Sequence, residues 1–167
     1  MSTPKPTVRL RFREMAESDL EEISSLLGDP VVMRYYPAPK TREEASRWIS
    51  WNQDNYAIYG FGLWIIETKA GDFVGDCGLT WQQVNGVPRL EVGYHVRSEL
   101  QGRGYATEAA GACLEFARTS TDADALVAIL HPENRASERV AEKLGMTRVG
   151  DDRGGSFPRR VLSVSIH

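Results

Sequence analysis

Gln101, Gly102, Arg103 and Gly104 stand between a segment with strand character and one with helical character. Gly102 and Gly104 let the backbone turn tightly and approach a bound group closely. Arg103 adds a positive charge. A helix that starts here leaves its first four N–H groups without intrahelical partners. Its dipole places roughly half a positive charge at that end. These residue types in this order make an anion site suited to phosphate or pyrophosphate. The glycines do not spell G-x-x-x-x-G-K-[ST]. They do not spell G-x-G-x-x-G either, because Thr107 stands third after Gly104. A glycine-rich strand-to-helix turn with no ligand fits the glycines equally well. Just upstream, Glu91, Gly93 and His95 alternate with Leu90, Val92, Tyr94 and Val96. Strand alternation puts Glu91 and His95 on one face. A carboxylate and an imidazole are side chains that move protons.

These residues need elements to hold them. Val8, Leu10 and Phe12 alternate with Arg9, Arg11 and Arg13, the period of a strand. Ser18 with Glu21 reads as a capping box before the helical stripe Leu20, Ile23, Leu26 and Leu27, which stops at Gly28. Residues 31–36 read as a short second helix broken by Pro37 and Pro39. Thr41 with Glu44 is another capping box, for a helix running towards Tyr59. Strands are expected over 60–68, 73–83 and 89–96, with Asn85-Gly86 as a hairpin turn. A helix over 104–118, a strand over 125–130 and a helix over 134–144 follow. Strands over 146–149 and 161–166 close the chain. Trp48 and Trp64 read as core. The order predicts an α+β fold with a mixed, mostly antiparallel sheet of about 6–7 strands and helices on both faces. Residues 1–6 read as a flexible arm and 7–167 as one domain.

Composition narrows the function. The chain has 167 residues, 41% hydrophobic and 26% charged, the make-up of a folded globular domain rather than a disordered one. A formal net charge of −3 argues against nucleic acid as a partner, because phosphate neutralisation dominates that affinity. No long apolar run predicts a membrane span, and no secretory signal is expected at the N-terminus. The reading is a cytoplasmic protein. Cys77 and Cys113 form no C-x-x-C, and His95, His131 and His167 are scattered, so no metal site is expected. Both thiols are expected to be reduced and buried.

Gln101-x-x-Gly104-x-Ala106 resembles the Q/R-x-x-G-x-G/A signature of the GNAT superfamily of N-acetyltransferases. Asn134-Arg-Ala-Ser137 followed by Lys143-Leu-Gly-Met146 is similar to the N-x-x-S…K-L-G-F/M block of its RimJ/RimL-like branch. Leu10 to Arg13, Val74 to Leu79 and Glu91 to Tyr94 fit in order, so the resemblance spans about residues 7–166. It implies acetyl-coenzyme A as cosubstrate, with no metal, entering where two central strands splay into a V. Gln101, Gly102, Arg103, Gly104, Tyr105, Ala106 and Thr107 would hold its pyrophosphate. Tyr94, His95 and Val96 would meet the pantetheine amides, His95 mainly through its main chain. Asn134 and Ser137 would touch the pantetheine arm from the other side. Asn134 is equally a favoured helix N-cap, and the two roles are compatible.

The implied reaction is direct attack of an amine on the thioester. Amines are mostly protonated at neutral pH, with pKa values of about 10.4 for lysine-type and about 7.7–8.0 for α-amines. Glu91 is the candidate base, with His95 able to assist. Many superfamily members carry a tyrosine as general acid where this chain has Ala141. Ser137 through a water, or solvent, is the substitute. Tyr35, Tyr36 and Trp81 are expected to line the acceptor pocket, since aromatic walls beside carboxylates suit a cationic amine. The branch implies protein N-termini as acceptors, and small-molecule amines fit as well. A homodimer is left open. The competing reading is a coenzyme A-binding sensor or degenerate domain without turnover.

Overall fold

Alternation builds the first element: β1 is Leu10–Arg13, with Leu10 and Phe12 buried and Arg11 outward. The computed structural model describes residues 2–167. Of the expected arm, Met1 lies outside the described residues, and Pro4 is buried. Each arginine on the polar face of β1 and before it meets a carboxylate. Arg9 pairs with Glu108, Arg11 with Glu67, and Arg13 with both Glu67 and Asp19.

Two helical expectations fail here. Ser18 does not cap: Glu17–Asp19 is a 3-10 turn, and α1 runs Leu20–Leu27. Asp19 prevails because it accepts from the Ala16 N–H at 2.7 Å and from both Arg13 guanidinium nitrogens, at 2.9 and 2.7 Å. A bidentate, charge-assisted pair outweighs a serine hydroxyl. Residues 31–36 form turns instead of a helix. The Asp29 side chain takes the Val31 N–H at 2.8 Å, Val31 and Val32 are β-branched, and Pro37 blocks continuation. The Thr41–Glu44 box closes both ways, and α2 runs Arg42–Tyr59 to a left-handed Gly60.

The remaining elements are β2 (Leu63–Thr68), β3 (Phe73–Val84), β4 (Val87–Val96), α3 (Tyr105–Ser120), β5 (Ala125–Leu130), α4 (Arg135–Lys143), β6 (Thr147–Asp152) and β7 (Arg159–Ser165). They make one seven-stranded sheet in the order β1-β2-β3-β4-β5-β7-β6. Every pair is antiparallel except β4 with β5. Asn85 and Gly86, at φ 49° and 81°, form the two-residue hairpin between β3 and β4.

One core cluster packs α3 on the sheet and includes Trp64, Leu79, Leu90, Cys113 and Leu126. The other packs α1 and α2 on the opposite face and includes Ile23, Leu27, Ile49, Leu63 and Ile65. Trp64 is fully buried, as expected. Trp48 packs against the second cluster but is only partly buried, and its indole N–H donates to the buried Asp76 at 3.0 Å. Cys77 and Cys113 are free and buried, with sulfurs 3.6 Å apart, and burial pushes the Cys77 thiol up. No helix among the described residues is long and apolar enough to cross a membrane.

Gly78 and Gly93 face each other across β3 and β4. A Cβ on Gly78 would sit 2.0 Å from the Gly62 carbonyl oxygen, whereas one on Gly93 would meet only Leu63 Cδ2 at 3.5 Å. Gly78→Ala should therefore cost about 1–3 kcal/mol. At roughly 2–4 °C per kcal/mol for a chain of this size, that is a melting-temperature fall of several degrees. Gly93→Ala should melt close to the parent in the same calorimetric scan.

Candidate active site

The hairpin sets the geometry. A two-residue turn at 85–86 pairs Val84 with Val87, and the register then runs Trp81 with Leu90, Thr80 with Glu91 and Asp76 with His95. Beyond the strand, Arg97 N–H donates to Val74 C=O at 2.9 Å. Antiparallel alternation from that bond turns the main-chain groups of His95 towards β3, and those of Tyr94 and Val96 away from it. On that far side β4 pairs with β5 at only two positions, Leu90 with Leu126 and Glu91 with Val127. Past Glu91 the strands part. β4 stays with β3 as far as Val96, and β5 stays with β7 as far as Leu130.

The fork presents Tyr94 and Val96 main-chain groups to a slot. Val96 C=O is taken by Gln101 Nε2 at 3.0 Å, so Gln101 ties the glycine loop to the end of β4. The His95 main chain is not brought to the slot, contrary to the role expected for it, because it is committed to β3. Its side chain meets the site instead. Gly102 and Gly104 are both left-handed, at φ 76° and 83°, and Gly104 is the residue before α3. Gln101, Gly102, Arg103 and Gly104 are exposed, and Tyr105, Ala106 and Thr107 form the first turn of α3. Arg9 also reaches this loop. It donates to Arg103 C=O at 2.9 Å, and its guanidinium lies 4.3 Å from the centroid of the Tyr105 ring.

Asn134 is the N-cap of α4, with Oδ1 accepting from Ser137 N–H at 3.2 Å. The Tyr94 hydroxyl donates to Ser137 C=O at 3.1 Å, which places Ser137 beside β4 on the α3 face. Ala141 is fully buried in the core and has no polar group to offer the slot.

The opposite face carries the titratable groups. Burial pushes the Glu91 carboxyl up to about 7, while Arg159, His95 and the Ile129 amide pull it down. Asp76 Oδ1 lies 2.7 Å from His95 Nδ1, and His95 Nε2 lies 3.0 Å from the Tyr36 hydroxyl. Tyr35 packs on His131 with ring centroids 5.1 Å apart, and His131 packs on Phe157 at 5.0 Å. A cavity of about 410 Å³ opens over the hairpin end of β4 with β5, β7 and β6, lined by Val87, Arg89, Val127, Asp151, Val161 and Ser163 among others. Tyr36 thus stands with Glu91 and His95. Trp81 does not: its register partner is Leu90, so it points to the α3 face and packs near Phe61, 6.5 Å between centroids. Asp76, Trp48 and Arg9 were not expected at the site. Asp76 was legible in principle, because the Asn85-Gly86 turn fixes the register that puts it opposite His95. Among the described residues no group of three or more His, Cys, Asp or Glu side chains is placed to hold a metal ion.

Residues 9–147 match the family model described as an acetyltransferase (GNAT) domain. The chain is 42% identical over 142 residues to the uncharacterized protein YkkB of Bacillus subtilis strain 168, covering 84% of this chain and 83% of that one. Its fold is similar to that of the acetyltransferase from Agrobacterium tumefaciens strain C58, with TM-score 0.84, 26% identity, and 98% and 95% of the two chains covered. It also superimposes on RimL, a ribosomal L7/L12 alpha-N-protein acetyltransferase solved with coenzyme A, with TM-score 0.79, 16% identity and 97% of each chain covered. The chain belongs to the GNAT acetyltransferase family. It is an acetyl-coenzyme A-dependent acyltransferase.

Glu91 also couples the site to stability. Its folded-state pKa of about 7 lies above its ordinary value of 4.5, so the folded chain holds that proton more tightly than the unfolded chain. Its contribution is full below about pH 4.5 and is lost as pH rises through about 7. Glu91→Gln has no such titration. Relative to the parent, its melting temperature should be unchanged at about pH 4 and higher at about pH 8, as circular-dichroism melts would show.

Proposed function

We infer that residues 7–167 work as one domain that moves the acetyl group of acetyl-coenzyme A to a primary amine by direct attack in a ternary complex. The observation that carries this reading is the position of Glu91, a half-buried glutamate at the fork where β4 leaves β5. The chain fits the cosubstrate on both sides of that fork. Residues 101–107, with Arg9 and Arg103 nearby, offer positive charge and, past Gln101, the unpartnered N–H groups of a helix start to a diphosphate. Tyr94 and Val96 offer main-chain groups to an amide-bearing arm, and Asn134 and Ser137 flank it from α4. Acetyl-coenzyme A supplies an activated thioester.

The remaining chemistry belongs to the chain. Glu91 accepts a proton from the incoming ammonium, and a carboxyl near 7 suits that task at neutral pH. The Val96 N–H, turned into the slot, is the donor available where charge develops on the acetyl oxygen. A thiolate with a pKa of about 8.5 leaves without a dedicated acid, which accommodates Ala141; Ser137 through a water is the nearest side-chain substitute. The aromatic ring of Tyr36 near Glu91, with Tyr35 next to it in sequence and packed on His131, suits an ammonium carried on an apolar body. RimL's own acceptor is a protein N-terminus, and an N-terminal peptide belongs in the acceptor panel for that reason.

Two measurements test the reading. Acetyl-coenzyme A at about 100 times its Kd should stabilise by about 2.7 kcal/mol. That is a melting-temperature rise of roughly 5–10 °C, which ATP and NAD should not produce. Thiol release should then follow addition of a primary amine from a panel of an N-terminal peptide, spermidine and phenylethylamine. Glu91→Gln should lower kcat/KM by about 10²–10⁴-fold and remove the inflection near pH 7. Binding without release for any amine between about pH 6 and 9 would favour the sensor reading.

A further inference from the structure

Behind Glu91 lies a hydrogen-bonded chain that the reaction as described leaves unused. The Trp48 indole N–H donates to Asp76 Oδ2 at 3.0 Å. Indole nitrogen can only donate, so Oδ2 is an acceptor. Asp76 Oδ1 faces His95 Nδ1 at 2.7 Å, and an Asp76 carboxylate accepts there too. The imidazole is thereby held with its proton on Nδ1 and its lone pair on Nε2. The Tyr36 hydroxyl, 3.0 Å away, donates to that lone pair. Asp76 is fully buried and His95 is 7% exposed, while Tyr36 is 48% exposed. The chain therefore runs from the interior to the acceptor face.

We propose that Tyr36 is a second proton-accepting residue for the acceptor amine, passing its own proton to His95 Nε2 as it takes one from the amine nitrogen. Asp76 is the positioning residue that keeps Nε2 free. The proposal rests on the amine-transfer reading and deepens it. An ammonium loses two protons on becoming an amide, and one carboxylate takes one at a time. The N–C bond forms, and the C–S bond breaks with its electron pair going to sulfur. One proton from nitrogen goes to Glu91, and the other goes through Tyr36 to His95. One of the two returns to sulfur, and the other leaves to solvent. The charge stored on His95 is then an imidazolium against Asp76, a neutral pair overall.

Tyr36 suits a conductor rather than a store. Burial of its hydroxyl, with Glu91 and Asp76 nearby, pushes the phenol up, so it stays neutral. The groups facing this chain are Asp76 from β3, Glu91 from β4, Arg159 from β7 and the Trp48 ring from α2, its centroid 6.0 Å from that of His95. Lys40 Nζ lies over that indole, 5.1 Å from its centroid. A tyrosine serving only to pack would not need an oriented histidine behind its hydroxyl, and burying an aspartate–histidine pair is costly for stability alone.

Tyr36→Phe and His95→Gln separate the possibilities, with phenylethylamine and hydroxylamine as probes. Phenylethylamine is protonated at neutral pH, and hydroxylamine is not. His95→Gln keeps an oxygen that can accept from Tyr36 but cannot store a proton. Both variants should lose about 10²-fold in kcat for phenylethylamine with KM little changed, and much less for hydroxylamine. Their affinity for acetyl-coenzyme A should match the parent's. In the parent, the ring nitrogen shifts of His95 should report Nδ1–H, and the Nε2 signal should move in Tyr36→Phe. Parent-like phenylethylamine turnover in both variants, or equal losses with the two probes, would overturn the relay while leaving amine transfer intact. A parent that binds acetyl-coenzyme A yet acetylates neither probe would overturn both.

Discussion

The site depends on a sheet that stops pairing with itself. β4 and β5 share two register positions, ending at Glu91 with Val127. Beyond them each strand is held only by its outer neighbour, β3 on one side and β7 on the other. Main-chain groups of Tyr94 and Val96 then face a slot instead of a strand. Unpaired main-chain groups next to a core are costly, and an extended chain with its own amides is the partner that satisfies them. Where Val96 C=O lies outside that need, Gln101 takes it and draws the glycine loop into place. One Gln side chain thus links the end of β4 to the glycine loop.

The same parting sets the electrostatics. Glu91 is the last paired residue, so its carboxylate lies at the fork in poorly solvated surroundings, and its proton is held up to about 7. Strand parity sends Tyr94 to the α3 face with Ser137 and sends Glu91 and His95 to the other. The sheet therefore separates two surfaces. Free main chain lines the edge with α4 behind it. Glu91, Tyr36 and His95 stand on the other side, and Tyr35, His131 and Phe157 form a row of rings.

Local chemistry was legible in the sequence, and relations between distant segments were less so. The Thr41–Glu44 box, the Asn85-Gly86 turn and the tight turn at Gly102 and Gly104 act within a few residues, and each appears as expected. Residues 31–36 failed because apolar spacing suggested a helix, while Asp29 and Pro37 set turns. Ser18 lost its cap to Asp19 because Arg13, on a separate strand, supplied a stronger partner. Trp81 was misplaced for want of register: next to Thr80, it takes the face opposite Glu91. Asp76 looked like one residue of a strand until pairing set it against His95. The hairpin turn contained that information, since a two-residue loop fixes every pair above it.

A crystal structure of the protein with coenzyme A tests the central claim most directly. The account predicts the pantetheine amides hydrogen-bonded to Tyr94 and Val96 main-chain groups, the diphosphate against residues 101–107, and Glu91 facing the sulfur end from the acceptor side. An arm lying along β6, or across the outer surface of α3, with β4 and β5 still parted, would contradict it.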